Sequence, residues 1–334
     1  MKRWQFWLGL LVSAVFLYVS LRQVDWQAAW QHVLTARWGL LLAGWACLVL
    51  SYVVRIWRWH RIVSSEQAVS IFSLGQVYLV GLMANNILPA RIGEIVRAYL
   101  LGQTSHLDGA SALGTIAVER VFDVIMALSL LVIGASWSLM DGIGSSVWLG
   151  ALGVAGIVAG VVVLAVWGNW FSDLLERIVG RFSPKWGTRL ADMARAFVRG
   201  LRSVGSVVRA LQVGASSVAA WGLFMAYAAL VLRAFGLAIT LPGAAFLLGV
   251  GGLGVSIPSA PGNVGTLEGA YIAALTLLGV GNNDSRATFA LTYHLIEWVT
   301  TCAIGLLCLG GLGLSLGELT KMTGRQVESV DCRS

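Results

Sequence analysis

Arg91, Glu94 and Arg97 follow one another at i, i+3 and i+6, a spacing that lines one helical face with alternating charge. Glu119, Arg120 and Asp123 form a second group, in which the carboxylates at i and i+4 share a face with a guanidinium beside them. Two carboxylates so placed repel unless a cation or a proton comes between them. Glu268, His294 and Glu297 form a third group, with His294 and Glu297 at i, i+3. The chemistry these types offer is recognition of anions and cations. A guanidinium fork binds phosphate, and a carboxylate receives an amino group or a coupling proton. A salt-bridge network that only holds helices together is the plainer use of the same residues.

Every one of these groups lies in or beside an apolar run, where an ionisable side chain is costly and marks a functional position or a necessary pair. The chain of 334 residues is 57% hydrophobic and 12% charged, against roughly 25% charged in soluble domains. Its mean hydropathy is +0.79. These values imply an all-α, polytopic helical membrane protein and exclude an ordinary soluble domain. The 15 Trp residues suit the headgroup level of a bilayer, with some left for core packing. The net charge of +7 follows membrane orientation rather than nucleic-acid binding. Cys47, Cys302, Cys308 and Cys332 form no CxxC or Cys/His cluster, so neither a metal site nor a disulfide framework is expected, and no cofactor.

Apolar runs that begin near residues 6, 39, 121, 147, 213 and 289 read as about six full crossings. The first, behind Lys2 and Arg3, lacks a small-x-small cleavage site and reads as an uncleaved helix rather than a signal peptide. Basic residues cluster at Arg55, Arg58 and Arg61, through a linker over 169–210, and in the tail at Lys321, Arg325 and Arg333, whereas 138–146 holds none. The positive-inside bias therefore puts both termini, the Arg55 loop and the linker in the cytoplasm of a cell inner membrane. Leu174, Leu175, Ile178, Phe182, Leu190, Met193, Phe197, Leu201 and Val204 recur at helical spacing in that linker. They predict amphipathic helices on the anionic inner-leaflet lipids, or an ordinary cytoplasmic connection. The expected organisation is a transmembrane domain over 1–316 and a short cytoplasmic tail over 317–334.

The segments 69–88 with 92–110, and 244–257 with 266–280, each surround a break. The first reads Leu88-Pro89 through Gly93-Glu94, and the second Ile257-Pro258, Pro261-Gly262-Asn263 and Gly265 to Glu268. Pro ends a helix, Gly permits unusual backbone, and a fresh helix start offers amides to an anion. Each break reads as a broken or re-entrant helical hairpin, although four ordinary crossings keep the same parity. Broken helices that enter from opposite sides are the arrangement of inverted-repeat transporters, with the binding site near mid-membrane.

The runs Asn85 to Arg97, Val118-Glu119-Arg120-Val121-Phe122-Asp123 and Pro258 to Glu268 together resemble the flippase-like family, also called the lysylphosphatidylglycerol synthase transmembrane-domain family. The likeness extends over nearly the whole chain. Where the family carries paired Gly after the second Pro, this chain has Gly262-Asn263. In fused members of that family the membrane domain moves lysyl-phosphatidylglycerol between leaflets and a soluble domain makes it. This chain ends shortly after its last span, so the resemblance implies translocation without synthesis, more a transporter than an enzyme.

The leading reading is a lipid translocase for an anionic, aminoacylated or polyprenyl-linked lipid. Its substrate-binding residues are Arg91, Glu94, Arg97, Glu119, Arg120, Asp123, Pro258, Gly262, Asn263, Gly265, Glu268, His294 and Glu297. A phosphate headgroup meets Arg91, Arg97 or Arg120 and the amides after Pro258. Its partners are that lipid and, as a further candidate, a separate lipid-modifying enzyme. An intramembrane enzyme acting on a lipid phosphate or glycan donor is the alternative, without an HExxH or DDxxD run to support it. An accessory scaffold in cell-envelope biogenesis is the third. No GxxxxGK[ST] run is present to drive transport by ATP.

Overall fold

In the computed structural model of the chain, the residues described are 3–64, 68–88, 92–105, 107, 109–138, 143–181, 183, 184, 187, 188, 191, 195, 206–257 and 259–319. Among these every regular element is a helix. The order is α1 (Arg3–Leu21), α2 (Trp26–Leu34), α3 (Trp38–Val63), α4 (Ile71–Ile87), α5 (Gly93–Thr104), α6 (Gly109–Ser138), α7 (Ile143–Gly180), α8 (Val207–Ala234) and α9 (Leu241–Ser256). A short 3-10 turn (Pro261–Asn263), α10 (Thr266–Leu277) and α11 (Asn283–Gly311) complete it.

Three described stretches are both long and apolar enough to cross a membrane: Trp38–Val63, Val208–Ala234 and Asn283–Gly311. They correspond to the runs expected from residues 39, 213 and 289. The runs from residues 6, 121 and 147 lie within α1, α6 and α7. Lipid-like exposure accompanies them, since Leu42, Leu50, Val53, Leu295, Val299 and Leu307 point outward. Helix α2 presents Trp26, Trp30 and Leu34 along one outward stripe and buries Ala29 on the other face. Such a stripe suits the interface between headgroups and hydrocarbon.

Two sequence expectations are corrected. Arg55 and Arg58 are not in a loop. Helix α3 continues to Val63, because the interleaved Ile56, Trp59 and Ile62 prolong its apolar face, and Trp59 and Ile62 are fully buried. Glu119, Arg120 and Asp123 do not stand at a helix entrance, because α6 begins at Gly109 and carries them in its interior. Helix α7 runs unbroken for 38 residues, about 57 Å, against a hydrocarbon core of about 30 Å, so it carries the first residues of the expected linker as its own extension. Leu174, Leu175 and Ile178 lie on that extension. Phe182, Leu190, Met193, Phe197, Leu201 and Val204 lie outside the described residues, as does the tail from 320.

Both breaks are interruptions between short helices. Helices α4 and α5 have 17 and 12 residues, and α9 and α10 have 16 and 12. Twelve residues rise only about 18 Å, too little to cross. Leu88 and Ile257, each followed in sequence by Pro, leave their helices in the extended conformation that a following Pro requires.

Helix α9 is sandwiched between α6 and α10, and glycine makes this possible. Gly249 and Gly252 face Leu131 and Ala127 of α6, whereas Gly251 and Gly254 face Tyr271 and Ala270 of α10. Without a hydrophobic drive inside lipid, helices associate through such close backbone approach. A Cβ on Gly249 would lie 2.5 Å from the Leu131 Cα. Gly249→Ala should therefore lower stability in detergent by about 1–3 kcal/mol, the usual cost of overpacking. Gly222→Ala, which meets nothing within 4 Å, should leave it unchanged. Equal melting temperatures for both variants would contradict this packing.

Candidate lipid-headgroup site

Among the described residues, three helices bring four guanidinium groups onto three carboxylates. Helix α3 supplies Arg55 and Arg58, α5 supplies Glu94 and Arg97, and α6 supplies Glu119, Arg120 and Asp123. Helix α8 adds Ser217 and Trp221. Glu119 is the centre. Its Oε2 accepts from Arg97 Nη2 at 2.5 Å and its Oε1 from Arg58 Nη2 at 3.4 Å, with Arg120 Nη2 3.7 Å away. Asp123 Oδ1 accepts from Arg58 Nη1 at 2.9 Å and from Trp221 Nε1 at 3.3 Å. Two cations therefore lie between Glu119 and Asp123: Arg58, and Arg120 at 3.7 and 3.9 Å from them.

Arg97 is held from both sides. Its guanidinium stands 4.1 Å from the Trp59 ring centroid and 4.5 Å from that of Tyr78, a desolvated cation–π arrangement. The stem occupies space that a Cβ on Gly81 would take, and a Cβ on Gly93 would run into Gly81 and Asn85. Glycine at both positions lets α4 and α5 close tightly enough to deliver Arg97 to Glu119. Asn85 Oδ1 accepts from Gly93 N–H at 2.8 Å and fixes the start of α5.

The cluster has an exposed edge. Arg58 and Glu119 are 0% exposed, whereas the Arg120 and Glu94 side chains are 40% and 37% exposed and lie 3.4 Å apart. Glu94 and Arg97, expected to pair along their own helix, pair instead with residues of α6. Among the described residues several guanidinium nitrogens are buried without a hydrogen-bond acceptor, namely Nε of Arg55 and Arg58 and both Nε and Nη1 of Arg97.

The second break builds a different centre. His294 Nδ1 lies 2.7 Å from Glu268 Oε1, and Glu268 Oε2 accepts from Gly265 N–H at 2.6 Å. Gly265 has φ +91°, which a side chain would strain, and it abuts the Ser13 backbone of α1. Gly262, at φ +72°, packs beside Trp298 and the Asn86 carbonyl, so the second break touches the C-terminal end of α4, where the first break begins. Three of the amides after Pro258 are engaged: Ala260 N–H donates to Ser13 Oγ, Asn263 N–H to the Ala260 carbonyl and Gly265 N–H to Glu268.

Of the expected site residues, Glu94, Arg97, Glu119, Arg120 and Asp123 come together, and Gly262, Asn263, Gly265, Glu268 and His294 assemble around the second break. Glu297 lies within electrostatic reach of both His294 and Arg55. Arg91 and Pro258 lie outside the described residues. Sequence reasoning missed Arg55 and Arg58 as site residues. Their i, i+3 spacing inside an aromatic-rich helical run was the signal available. Among the described residues no group of His, Cys, Asp and Glu is arranged to hold a metal ion.

Removing a buried carboxylate strands its cations. Glu119→Gln should cost about 3–5 kcal/mol, the range for breaking one side of a buried ion pair, and Arg120→Gln, at the exposed edge, under about 1 kcal/mol. Thermal unfolding of both variants in detergent measures this, and an equal loss would contradict the burial order.

The chain is similar to known membrane proteins. The glycosyltransferase AglD of Haloferax volcanii is 26% identical over 97% of this chain, which spans only 56% of that protein. A UPF0104 membrane protein of Methanothermobacter thermautotrophicus is 28% identical over 81% of this chain and 86% of its own. Another from Methanocaldococcus jannaschii is 24% identical over 66% of this chain and 90% of its own. Residues 6–305 match the family model described as the lysylphosphatidylglycerol synthase TM region, and the chain belongs to that family.

Proposed function

We propose that the chain is a translocase that moves a lipid with a phosphate headgroup between membrane leaflets, and that the headgroup binds at Arg120. Family membership supports a lipid-handling role in the membrane. The observation that carries the finer reading is the charge balance at the exposed edge. Among the described residues the ion pairs of this cluster join four guanidinium groups to three carboxylates, and Arg120 and Glu94 are its most exposed pair. An anion on Arg120 completes the balance that the carboxylates leave short. The phosphate competes with Glu94 for the guanidinium, and Glu94 rides on the helix that follows the first break. Headgroup exchange at Arg120 therefore acts directly on that broken hairpin.

Arg97 is a positioning residue in this account. Its guanidinium lies between Trp59 and Tyr78, and it anchors Glu119. Arg91, three positions before Glu94 in sequence, is a further phosphate contact in this reading. The cytoplasmic placement of both termini and of the extension of α7 rests on the basic residues from Arg177 onward and in the tail. With Arg55 and Arg58 spent on buried pairs, those residues carry the orientation. Opposed entry of the two hairpins follows from that topology. Likeness to a protein named as a glycosyltransferase keeps a sugar-bearing lipid phosphate within the substrate class.

Reconstitution in liposomes tests the reading. Wild-type protein should exchange a fluorescent phosphate-headgroup lipid between leaflets. Arg120→Gln should reduce the rate by roughly tenfold or more, and Arg120→Lys should also reduce it, because an ammonium does not reproduce a bidentate fork. Wild-type rates in both folded variants would refute the assignment. Chemical conversion of the lipid in place of exchange would favour an enzyme.

A further inference from the structure

We propose that Glu268, His294 and Glu297 form a proton-binding site within the membrane that couples lipid movement to the proton gradient. The inference rests on the translocase reading and adds its driving force. The cation cluster around Glu119 is made of guanidinium groups, which keep their charge at every physiological pH. The second centre differs in kind. Its cationic partner is a histidine, whose charge changes in the physiological range. The Glu268–His294 pair is buried, with side-chain exposures of 5% and 8%, and joins α10 to α11.

Glu297 lies one turn beyond His294 on α11. Among the described residues its carboxylate has no hydrogen bond and no ion pair, yet it lies within electrostatic reach of His294 and Arg55. An ionised carboxylate without a bonded partner is expensive inside a membrane, and a bound proton removes that cost. Chains of Asp, Glu and His are the material of proton relays in pumps and transporters. The surroundings add few competing charges. Helix α3 contributes Arg55 and Tyr52, α8 contributes Tyr227, and α10 contributes Glu268 and Tyr271. On α11 itself Tyr293 stacks on Tyr227. Tyr78 of α4 is turned toward Arg97, and α2, packed on α11 at Thr288, carries His32.

The pair also holds a moving part. Glu268 grips His294 with one oxygen and the Gly265 amide with the other. A proton on Glu268 turns one of those acceptors into a donor, and the grip on the second break loosens. That break touches Asn86, and the neighbouring Asn85 fixes the start of α5, which carries Glu94. Proton occupancy at one break thus reaches the residue that competes with phosphate at the other. No heavy-atom bond is made or broken. One proton enters from one side, passes among Glu297, His294 and Glu268, and leaves on the other.

The test uses the full chain in proteoliposomes carrying a fluorescent phosphate-headgroup lipid and an internal pH dye, with the membrane potential clamped. An imposed gradient of about one pH unit is about a tenfold ratio of proton activity, and one-to-one coupling drives the leaflet ratio of lipid by up to about tenfold. The dye should report proton movement that depends on the lipid. In Glu297→Gln and His294→Gln the ratio of rates with and without gradient should fall to unity, whatever the gradient-free rate. Wild-type exchange that ignores the gradient overturns the coupling and leaves the translocase reading standing. A wild type that exchanges no lipid under any gradient overturns both. If a variant fails to insert, the wild-type gradient measurement decides alone.

Discussion

The structure depends on the cost of placing charge in a low-dielectric medium. Arg58 and Arg97 are fully buried, and one carboxylate, Glu119, meets both. Each guanidinium alone would cost several kcal/mol at membrane depth. Helices α3, α5 and α6 meet at Glu119, and that meeting offsets the cost of the charges they carry. The aromatic faces of Trp59 and Tyr78 around Arg97 and the indole of Trp221 on Asp123 fill the remaining directions. Glycine at 81 and 93 permits the approach that the pairing needs.

That constraint explains why the chain interrupts its helices. A continuous α4–α5 crossing has no reason to present Glu94 and Arg97 to α6 together. Ending α4 before Pro89 and restarting at Gly93 turns the new helix toward the cluster. The second break follows the same plan with different chemistry: a helix ends before Pro258, a glycine at φ +91° opens the next, and an acid in its first turn binds a distant side chain. The two breaks meet through Gly262 and Asn86, so a change at either bears on the other.

Much of this was legible in the sequence. Composition and run length identified a helical membrane protein, and the Pro/Gly/Glu pattern located both breaks. Glu94 with Arg97, and Glu119 with Arg120 and Asp123, were recognised as two candidate groups because ionisable residues are rare in apolar surroundings. The partners were not legible. Arg58 finds Asp123 across 65 positions, and no local pattern encodes that pairing. Arg55 and Arg58 read as a cytoplasmic loop because basic residues beside a span usually lie in water, and only burial separates the two cases. The amide of Ala260 looked free, since its acceptor, Ser13, lies 247 positions away.

The central claim is that Arg120 and its neighbours recognise phosphate rather than acyl chains. The most direct measurement compares leaflet exchange by the wild-type protein of two lipids with identical chains, one with a phosphate headgroup and one with a neutral headgroup that lacks it. The account predicts that the protein accelerates only the phosphate lipid, and that inorganic phosphate ester analogues of the headgroup inhibit it. Equal acceleration of both lipids would contradict it.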